Sequence, residues 1–344
     1  MSGSLLPGYW YVVAESRELT CDSLLSRQVL DVWIACYRDA QGNAVIAEDR
    51  CLHRCARLSN GKVRDGELTC GYHGWVYGEA GKVIAIPGEG GAAAATKRNL
   101  QAKAFSTREQ DGYVYVCLQP GAQTPATAFV LPRPEASGWR HLRLQNRFRN
   151  SMVNCVENYI DVPHTAYVHH GVFRKPRQQQ IQVSVSRSKG HVRVQYLGET
   201  MNLGSFAWFL NPKGGEIEHE DNFYALNVTS VHYRLPRGYS YIITSQSVPV
   251  SDMETLVYTD ISYYFGRWTA LAGWITRRQA QTVINQDIDI LNQQAEVIEK
   301  YGENFFTTAP DIIHSLTSEI ITALQQGTTP AELPDQKKEV RFWV

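Results

Sequence analysis

Two short arms carry the strongest chemical signal in this sequence: Cys51-Leu52-His53 and Cys70-Gly71-Tyr72-His73, a C-x-H-x16-C-x2-H pattern. Each arm offers one thiolate and one imidazole. Two of each can hold a single zinc, or a two-iron, two-sulfur cluster with both imidazoles on one iron. Zinc ribbons usually use paired cysteines two to four residues apart, whereas each arm here combines Cys with His, which favours the cluster. Gly71 and Gly74 leave room for the backbone to approach a bound group. Histidine ligation raises the reduction potential above that of an all-cysteine cluster, and such a centre accepts and passes on single electrons.

A second constellation lies at Glu157-Asn158-Tyr159-Ile160-Asp161-Val162-Pro163-His164-Thr165-Ala166-Tyr167-Val168-His169-His170. Two imidazoles and one carboxylate make the facial triad that holds non-haem Fe(II) and leaves open positions for O2 and substrate. His164 with His169 or His170 supplies the imidazoles. Pro163 disfavours α conformation at Val162, so the helix is expected to end near Asp161 and the chain to turn before His164. The turn matters, because a five-residue step on a straight helix would splay the imidazoles by about 140°. Asn158 and Asp161 can share one face of the preceding helix. The carboxylate must come from elsewhere, and Asp287 and Asp289 are the candidates. Ile284, Ile288, Leu291, Ala295 and Ile298 fall within about 40° of one line on a helical wheel. Asp287 lies about 60° from that line and Asp289 about 140°, on the solvent side. A carboxylate at the edge of a buried stripe needs a partner such as a metal.

The elements that must position these groups can be read in outline. Segments 29–37 with 44–47, and 75–77 with 82–86, read as hairpins, and 113–118 as a buried strand, together a small β-sandwich or barrel. Pro120, Pro125, Pro132 and Pro134 cluster with Gly121 and Gly138 and mark a linker over 121–138. A first domain over 1–120 and a second over 139–344 follow. In the second, 142–149 alternates apolar and basic residues, and further strands are expected at about 180–197, 222–233, 239–249 and 255–265. Helical patterns cover 267–300 and 310–325. Ala92–Ala95 is the only low-complexity tract. The fold class is α+β.

Composition bounds the function. The chain has 344 residues with 34 Lys plus Arg and 34 Asp plus Glu, so it lacks the basic excess of a nucleic-acid binder. It has no apolar run long enough to span a bilayer and no recognisable leader, so a cytoplasmic location is expected. Seven cysteines in a chain this long do not read as a disulfide scaffold.

The surroundings of the two arms, CLHR and CGYHGWVYG, resemble the Rieske [2Fe-2S] motif, and Pro87 matches the proline-bearing loop that shields the cluster in that family. The stretch from residue 157 resembles the D/E-x3-D-x2-H-x4-H motif of Rieske non-haem iron oxygenases, and Asp287 matches their (E/Q)-D-x-x-x-L-x-x-Q pattern. The resemblance extends through the chain: a Rieske domain followed by a helix-grip catalytic domain, an antiparallel sheet with a long late helix. It is nearest to the α-only group that includes dicamba monooxygenase and vanillate O-demethylase. It implies a cluster on Cys51, His53, Cys70 and His73, and a mononuclear iron on His164, His169 and Asp287, with His169 preferred to His170 by spacing. Glu157 and Asn158 both fit the first position of the motif. Cys55 departs from the family, which more often has a small non-cysteine residue there, and is read as a structural thiol.

The resemblance further implies a terminal oxygenase in a homotrimer, supplied with NAD(P)H-derived electrons by a reductase, with or without a ferredoxin. Asp161 would bridge cluster and iron between neighbouring subunits. Monohydroxylation or oxidative demethylation of a small organic compound is the expected chemistry, with cis-dihydroxylation of an aromatic ring as the alternative. Two readings from other classes compete: a Rieske electron carrier, and a structural zinc protein. Phe206, Trp208, Phe209, Tyr224 and Tyr264 are candidates to line a substrate pocket, although core packing explains them equally well. Arg140, Arg143, Arg147 and Arg149, with Arg174, Lys175 and Arg177, read as a solvated face rather than a docking patch.

Overall fold

The computed structural model describes residues 6–121, 124–169, 180–199 and 215–343. Contacts divide the chain into two compact units, one running to Val130 and the other from Leu131 onward. Among the described residues no helix is long and apolar enough to cross a membrane.

The first unit is made of short strands: β1 (Tyr11–Glu15), β2 (Leu25–Val29), β3 (Val32–Arg38), β4 (Ala44–Glu48), β5 (Lys62–Arg64), β6 (Glu67–Thr69), β7 (Val76–Tyr77), β8 (Val83–Ala85), β9 (Ser106–Gln110) and β10 (Tyr113–Cys117). They form antiparallel sheets in the orders β1-β10-β9, β2-β3-β4 and β5-β6-β7-β8. The strand expected from residue 29 is broken at once. Leu30 and Asp31 adopt φ of 53° and 61° and make a two-residue turn whose twist suits the β2-β3 hairpin. The alanine tract forms a short helix, α1 (Ala92–Arg98), because alanine loses least on entering a helix. A core of Tyr37, Leu58, Leu68, Tyr77, Val83 and Ile86 also takes in Cys51 and Cys70.

The second unit is one antiparallel sheet with helices. Its strands are β11 (Arg140–Phe148), β12 (Gln180–Ser188), β13 (His191–Leu197), β14 (Glu218–Tyr224), β15 (Val228–Arg234), β16 (Ser240–Ser251), β17 (Glu254–Tyr264) and β18 (Gln336–Trp343), in the order β11-β17-β16-β15-β14-β13-β12-β18. The helices are α2 (Met152–Ile160), α3 (Thr269–Tyr301) and α4 (Ile312–Gln325). In β12 the two-residue period is plain: Ile181, Val183, Val185 and Arg187 are buried, and the Gln and Ser residues between them are not.

The stretch 180–197 is two strands, turned at Lys189-Gly190, and 222–233 contains the turn between β14 and β15. Ala225-Leu226-Asn227 has no glycine or proline to announce that turn, and Asn227 is held by a side-chain hydrogen bond to the Ser247 carbonyl (2.9 Å). Strand β18 was not anticipated. It pairs with β12, and its mostly exposed polar residues hide the alternation that betrays a strand.

Two of the β11 arginines, and Arg149 just past its end, have acidic partners. Arg143 and Arg133 share the buried Asp260, Arg147 pairs with Glu254, and Arg149 lies 2.6 Å from Glu299. Arg174, Lys175 and Arg177 lie outside the described residues.

Leu142, Leu144 and Phe148 of β11 pack with Val257 and Ile261 of β17, with Cys155 of α2, and with Ile284 and Leu291 of α3. The α3 stripe follows the helical period: Ile284, Asp287, Leu291 and Ala295 are buried, while Asp289, Ile290 and Val297 are exposed. Leu291→Ala should therefore cost about 2–5 kcal/mol and Val297→Ala less than about 0.5 kcal/mol, read from urea unfolding midpoints. Equal losses at the two positions would contradict this packing.

Candidate active site

The two arms fold alike. Cys51 N–H donates to the Ala56 carbonyl and Cys70 N–H to that of Trp75 (both 2.8 Å), while the amides four residues on, at Cys55 and Gly74, return to the cysteine carbonyls (3.0 and 3.1 Å). Cys55 and Gly74 are thus equivalent positions, and both adopt positive φ (55° and 69°). Cys55 is exposed and fills the place where its counterpart arm has glycine. Gly71 also makes room for a neighbouring segment. A Cβ there would sit 2.7 Å from the Asn60 carbonyl oxygen, so its missing side chain admits the neighbouring chain. Pro87 lies against the Gly74 turn.

The arms bring their donors together. The His53 and His73 rings are 4.4 Å apart, and Trp75 stacks on His53 at 5.2 Å. His53 Nδ1 is buried with no hydrogen-bond partner. Desolvation, then His73 and Arg54, lowers the His53 pKa and favours the neutral ring that binds metal. The Tyr77 hydroxyl donates to Cys51 Sγ (3.1 Å). Burial raises the Cys70 thiol pKa although the Tyr72 and His73 amides point at it. Buried thiols and a buried unpartnered imidazole nitrogen make a donor set that fits an iron–sulfur cluster.

In the second unit Ser151 caps α2, accepting from the Asn154 amide. The helix ends at Ile160, and the break falls at Asp161, which is extended (φ −86°, ψ 115°). Val162 is αR (φ −83°, ψ −39°), contrary to the bias expected before Pro163. The reason is local: the Asp161 carboxylate accepts from the His164 amide (3.2 Å) and so acts as the cap of a new 3-10 turn over Pro163–Ala166. That turn swings His164 round to meet His169.

His164 Nε2, His169 Nε2 and Asp287 Oδ1 face one another at 3.3, 3.2 and 3.6 Å. A triangle of that size suits one ion touching each corner at about 2 Å. Each imidazole is oriented from behind: His164 Nδ1 lies 3.0 Å from Asp161 Oδ2, and His169 Nδ1 lies 3.0 Å from Gln286 Oε1. Both acceptors take the Nδ1 hydrogen and leave Nε2 lone pairs directed at the centre. Asp287 Oδ1 is buried and accepts no hydrogen bond. Burial lowers the His164 pKa, but Asp161 and Asp287 more than reverse this and hold it at about 9. Burial likewise raises Asp287, but the two imidazoles opposite outweigh it and keep the carboxyl below its usual range. Such mutual stabilisation is what a bound cation would supply in place of a proton. The donor set fits Fe(II).

Asp289 is exposed on α3, away from this centre, and His170 lies outside the described residues. Asn158 lines the cavity beside the triad, whereas Glu157 turns to α4, with Oε2 2.5 Å from His314 Nδ1. Gln286 was overlooked as a partner of His169, although its place beside Asp287 was visible.

The triad opens on a cavity of about 140 Å³, lined among the described residues by Val231, Leu235, Tyr241, Ile243, Ile261 and Phe265, with His219 and Asp221 from β14. Tyr224 and Tyr264 are not on it. They stack instead on His191 and Trp139, because alternation sends them to the face opposite their neighbours. Phe206, Trp208 and Phe209 lie outside the described residues.

Comparison with known proteins follows the same division. The Rieske [2Fe-2S] domain family matches residues 9–100, and the vanillate O-demethylase oxygenase C-terminal domain family matches 148–312. The vanillate O-demethylase oxygenase subunit of Pseudomonas sp. (strain HR199 / DSM 7063) is 32% identical over 173 residues, 46% of this chain and 44% of the relative. The 4beta-methylsterol monooxygenase of Methylococcus capsulatus (strain ATCC 33009 / NCIMB 11132 / Bath) is 32% identical over 245 residues, 69% of this chain and 60% of the relative. This chain therefore spans less than two thirds of either relative. The crystal structure of dicamba monooxygenase bound to dicamba superposes with a TM-score of 0.79 at 21% identity, covering 94% of this chain and 98% of that one. Pseudomonas putida CBB5 NdmA with caffeine gives 0.73 at 18% identity, covering 93% and 91%. These two show the shared fold. With a [2Fe-2S] domain and an oxygenase C-terminal domain in tandem, the chain belongs to the Rieske non-haem iron oxygenases.

Proposed function

We propose that this protein is the terminal oxygenase of a multicomponent system, one that hydroxylates a small organic substrate or removes a methyl group by hydroxylating its carbon. The observation that carries the reading is the meeting of His164, His169 and Asp287 beside a mostly apolar cavity, on a chain that also holds a Rieske domain. Relatives named as an O-demethylase and a monooxygenase favour single-oxygen chemistry over dihydroxylation. The overall change consumes O2, two electrons and two protons, puts one oxygen atom into a C–H bond and releases the other as water.

Cys51, His53, Cys70 and His73 would hold the cluster, and His164, His169 and Asp287 the iron. When bound, the two centres supply one-electron storage and O2 activation. The chain's own side chains prepare the site. Asp161 and Gln286 hold the Nδ1 hydrogens of His164 and His169, which fixes both rings and raises their basicity. The Tyr77 hydroxyl on Cys51 Sγ withdraws electron density and favours the reduced cluster. The apolar wall keeps bulk water from the reacting carbon.

A reductase, with or without a ferredoxin, would supply electrons from NAD(P)H. We place the chain in a homotrimer, where the part-exposed Asp161 would join His164 to a cluster histidine of a neighbouring subunit. Seven free cysteines suit a reducing compartment, the cytoplasm.

Protein purified without oxygen should hold about three irons and two acid-labile sulfides per chain and be red-brown. One zinc without sulfide would refute the reading. Under ¹⁸O2, with reductase, label should enter the product. Asp287→Ala should lose the mononuclear iron and keep the cluster's visible spectrum, while Asp289→Ala keeps both. Gln286→Leu should weaken iron binding about 10–100-fold, measured against a chelator. Asp161→Asn should retain both metals yet lower product formation at least about tenfold; an unchanged rate would remove its bridging role.

A further inference from the structure

The cavity has a second polar feature, on its sheet side. His219 and Asp221 are two apart on β14 and therefore face the same way. The His219 ring is completely buried, sandwiched between Tyr196 (4.2 Å, 14°) and Tyr233 (4.3 Å, 25°). Its Nδ1 lies 2.8 Å from Glu199 Oε2 and its Nε2 2.9 Å from Asp221 Oδ1. Ionised carboxylates only accept, so with Glu199 and Asp221 both ionised the two nitrogens carry hydrogen and the ring is an imidazolium. Burial opposes that charge, but Asp221 and Glu199 outweigh it and hold the pKa at about 9. The two aromatic faces add cation–π attraction.

What the cluster can offer a ligand follows from which hydrogens are already used. Both N–H groups of His219 are engaged by carboxylates. The Tyr196 hydroxyl is engaged as well, donating to Asp221 Oδ2 (2.8 Å). A carboxylate has about four acceptor sites, so Asp221 can accept more than these two bonds. This wall therefore presents acceptors, held in place from behind by His219 and Tyr196. Around it the lining is Val231, Leu235, Ile243 and Phe265, and no Lys or Arg lines the cavity among the described residues. A substrate carboxylate placed here would be desolvated, would find both His219 N–H groups already taken and would face Asp221. A hydroxyl, an N–H or an ammonium group would find a charge-assisted acceptor.

We propose that Asp221, fixed by His219 and Tyr196, is a specificity determinant that selects neutral or cationic substrates bearing a hydrogen-bond donor and rejects carboxylates. The proposal rests on the reading of this cavity as the substrate pocket. It distinguishes this chain from any relative that takes an aromatic acid, because a shared fold leaves the polar end of the pocket free to differ.

The test is binding to the iron-loaded protein without O2 or reductant, by isothermal titration calorimetry, with three probes that differ only in their polar end. These are para-methoxybenzylamine, para-methoxybenzyl alcohol and para-methoxybenzoate. The amine and the alcohol should each bind at least about tenfold more tightly than the benzoate. Asp221→Asn keeps the shape and one acceptor oxygen but removes the charge. It should shrink the amine-to-benzoate ratio about tenfold.

Benzoate binding as tight as the amine would overturn the proposal. So would an amine-to-benzoate ratio unchanged in a folded Asp221→Asn protein, since a purely structural ion pair predicts that result. Failure of all three probes to bind would overturn it as well. If Asp221→Asn does not fold, the order of the three probes on the wild-type protein still decides. Failure of the oxygenase reading would show instead as missing iron or absent product, neither of which enters the calorimetric ranking.

Discussion

A buried carboxylate facing two imidazoles is the interaction around which the catalytic unit is arranged. Asp287 is nearly inaccessible, and its Oδ1 has no hydrogen bond to offset the loss of water. Leaving such a group in a protein interior is costly unless a cation or proton sits opposite. His164 and His169 meet that demand, and the raised His164 pKa and the lowered Asp287 pKa run in the direction mutual attraction requires. Much of the rest of the unit follows from it. Helix α3 must present one edge of its buried stripe to the site, and β11 and β17 must carry the core that sets the helix's rotation. His169 and Gln286, which join across this centre, are 117 residues apart in sequence.

The other side of the centre is organised locally. Asp161 stops α2, caps the Pro163 turn through the His164 amide, and orients the His164 ring through Nδ1. One carboxylate thus serves backbone and metal ligand together, and its part-exposed position leaves it open to a further partner. Val162 adopts helical geometry in front of a proline because that cap compensates the steric bias. Proline supplied the break; the aspartate set where it fell.

The sheet contributes in a different way. Its inward row passes from Tyr196 through His219, Tyr233 and Tyr241 to Tyr263, one residue from each of five adjacent strands. Aromatic rings in that row make the cavity wall and also sandwich the one imidazolium within it. The metal ligands come from α3 and from the stretch after α2, while the sheet supplies His219, Asp221 and much of the apolar cavity wall, which α3 completes. Changes on β14 can retune the pocket without moving the triad.

The arms at Cys51 and Cys70, the His164-to-His169 step and the choice of Asp287 over Asp289 as the buried carboxylate were all legible in the chain. Each depends on short spacing or helical phase, which are properties of neighbouring residues. The α+β class, the long late helix and most strands were legible for the same reason. The hairpin turn at Ala225-Leu226-Asn227 was not, since it lacks glycine and proline, nor was β18, whose polar residues show little alternation. Tyr224 and Tyr264 were pocket candidates on residue type, with core packing an equal reading, and each faces away from the cavity, because which side of a strand meets a cavity is fixed by its pairing partners. Gln286, His219, Asp221 and Glu199 gained their roles only in three dimensions. Local sequence determined what each element is and which residues could bind metal. The long-range packing of strands and α3 decided which side chains meet, because contact between distant segments is set by register and burial rather than by spacing along the chain.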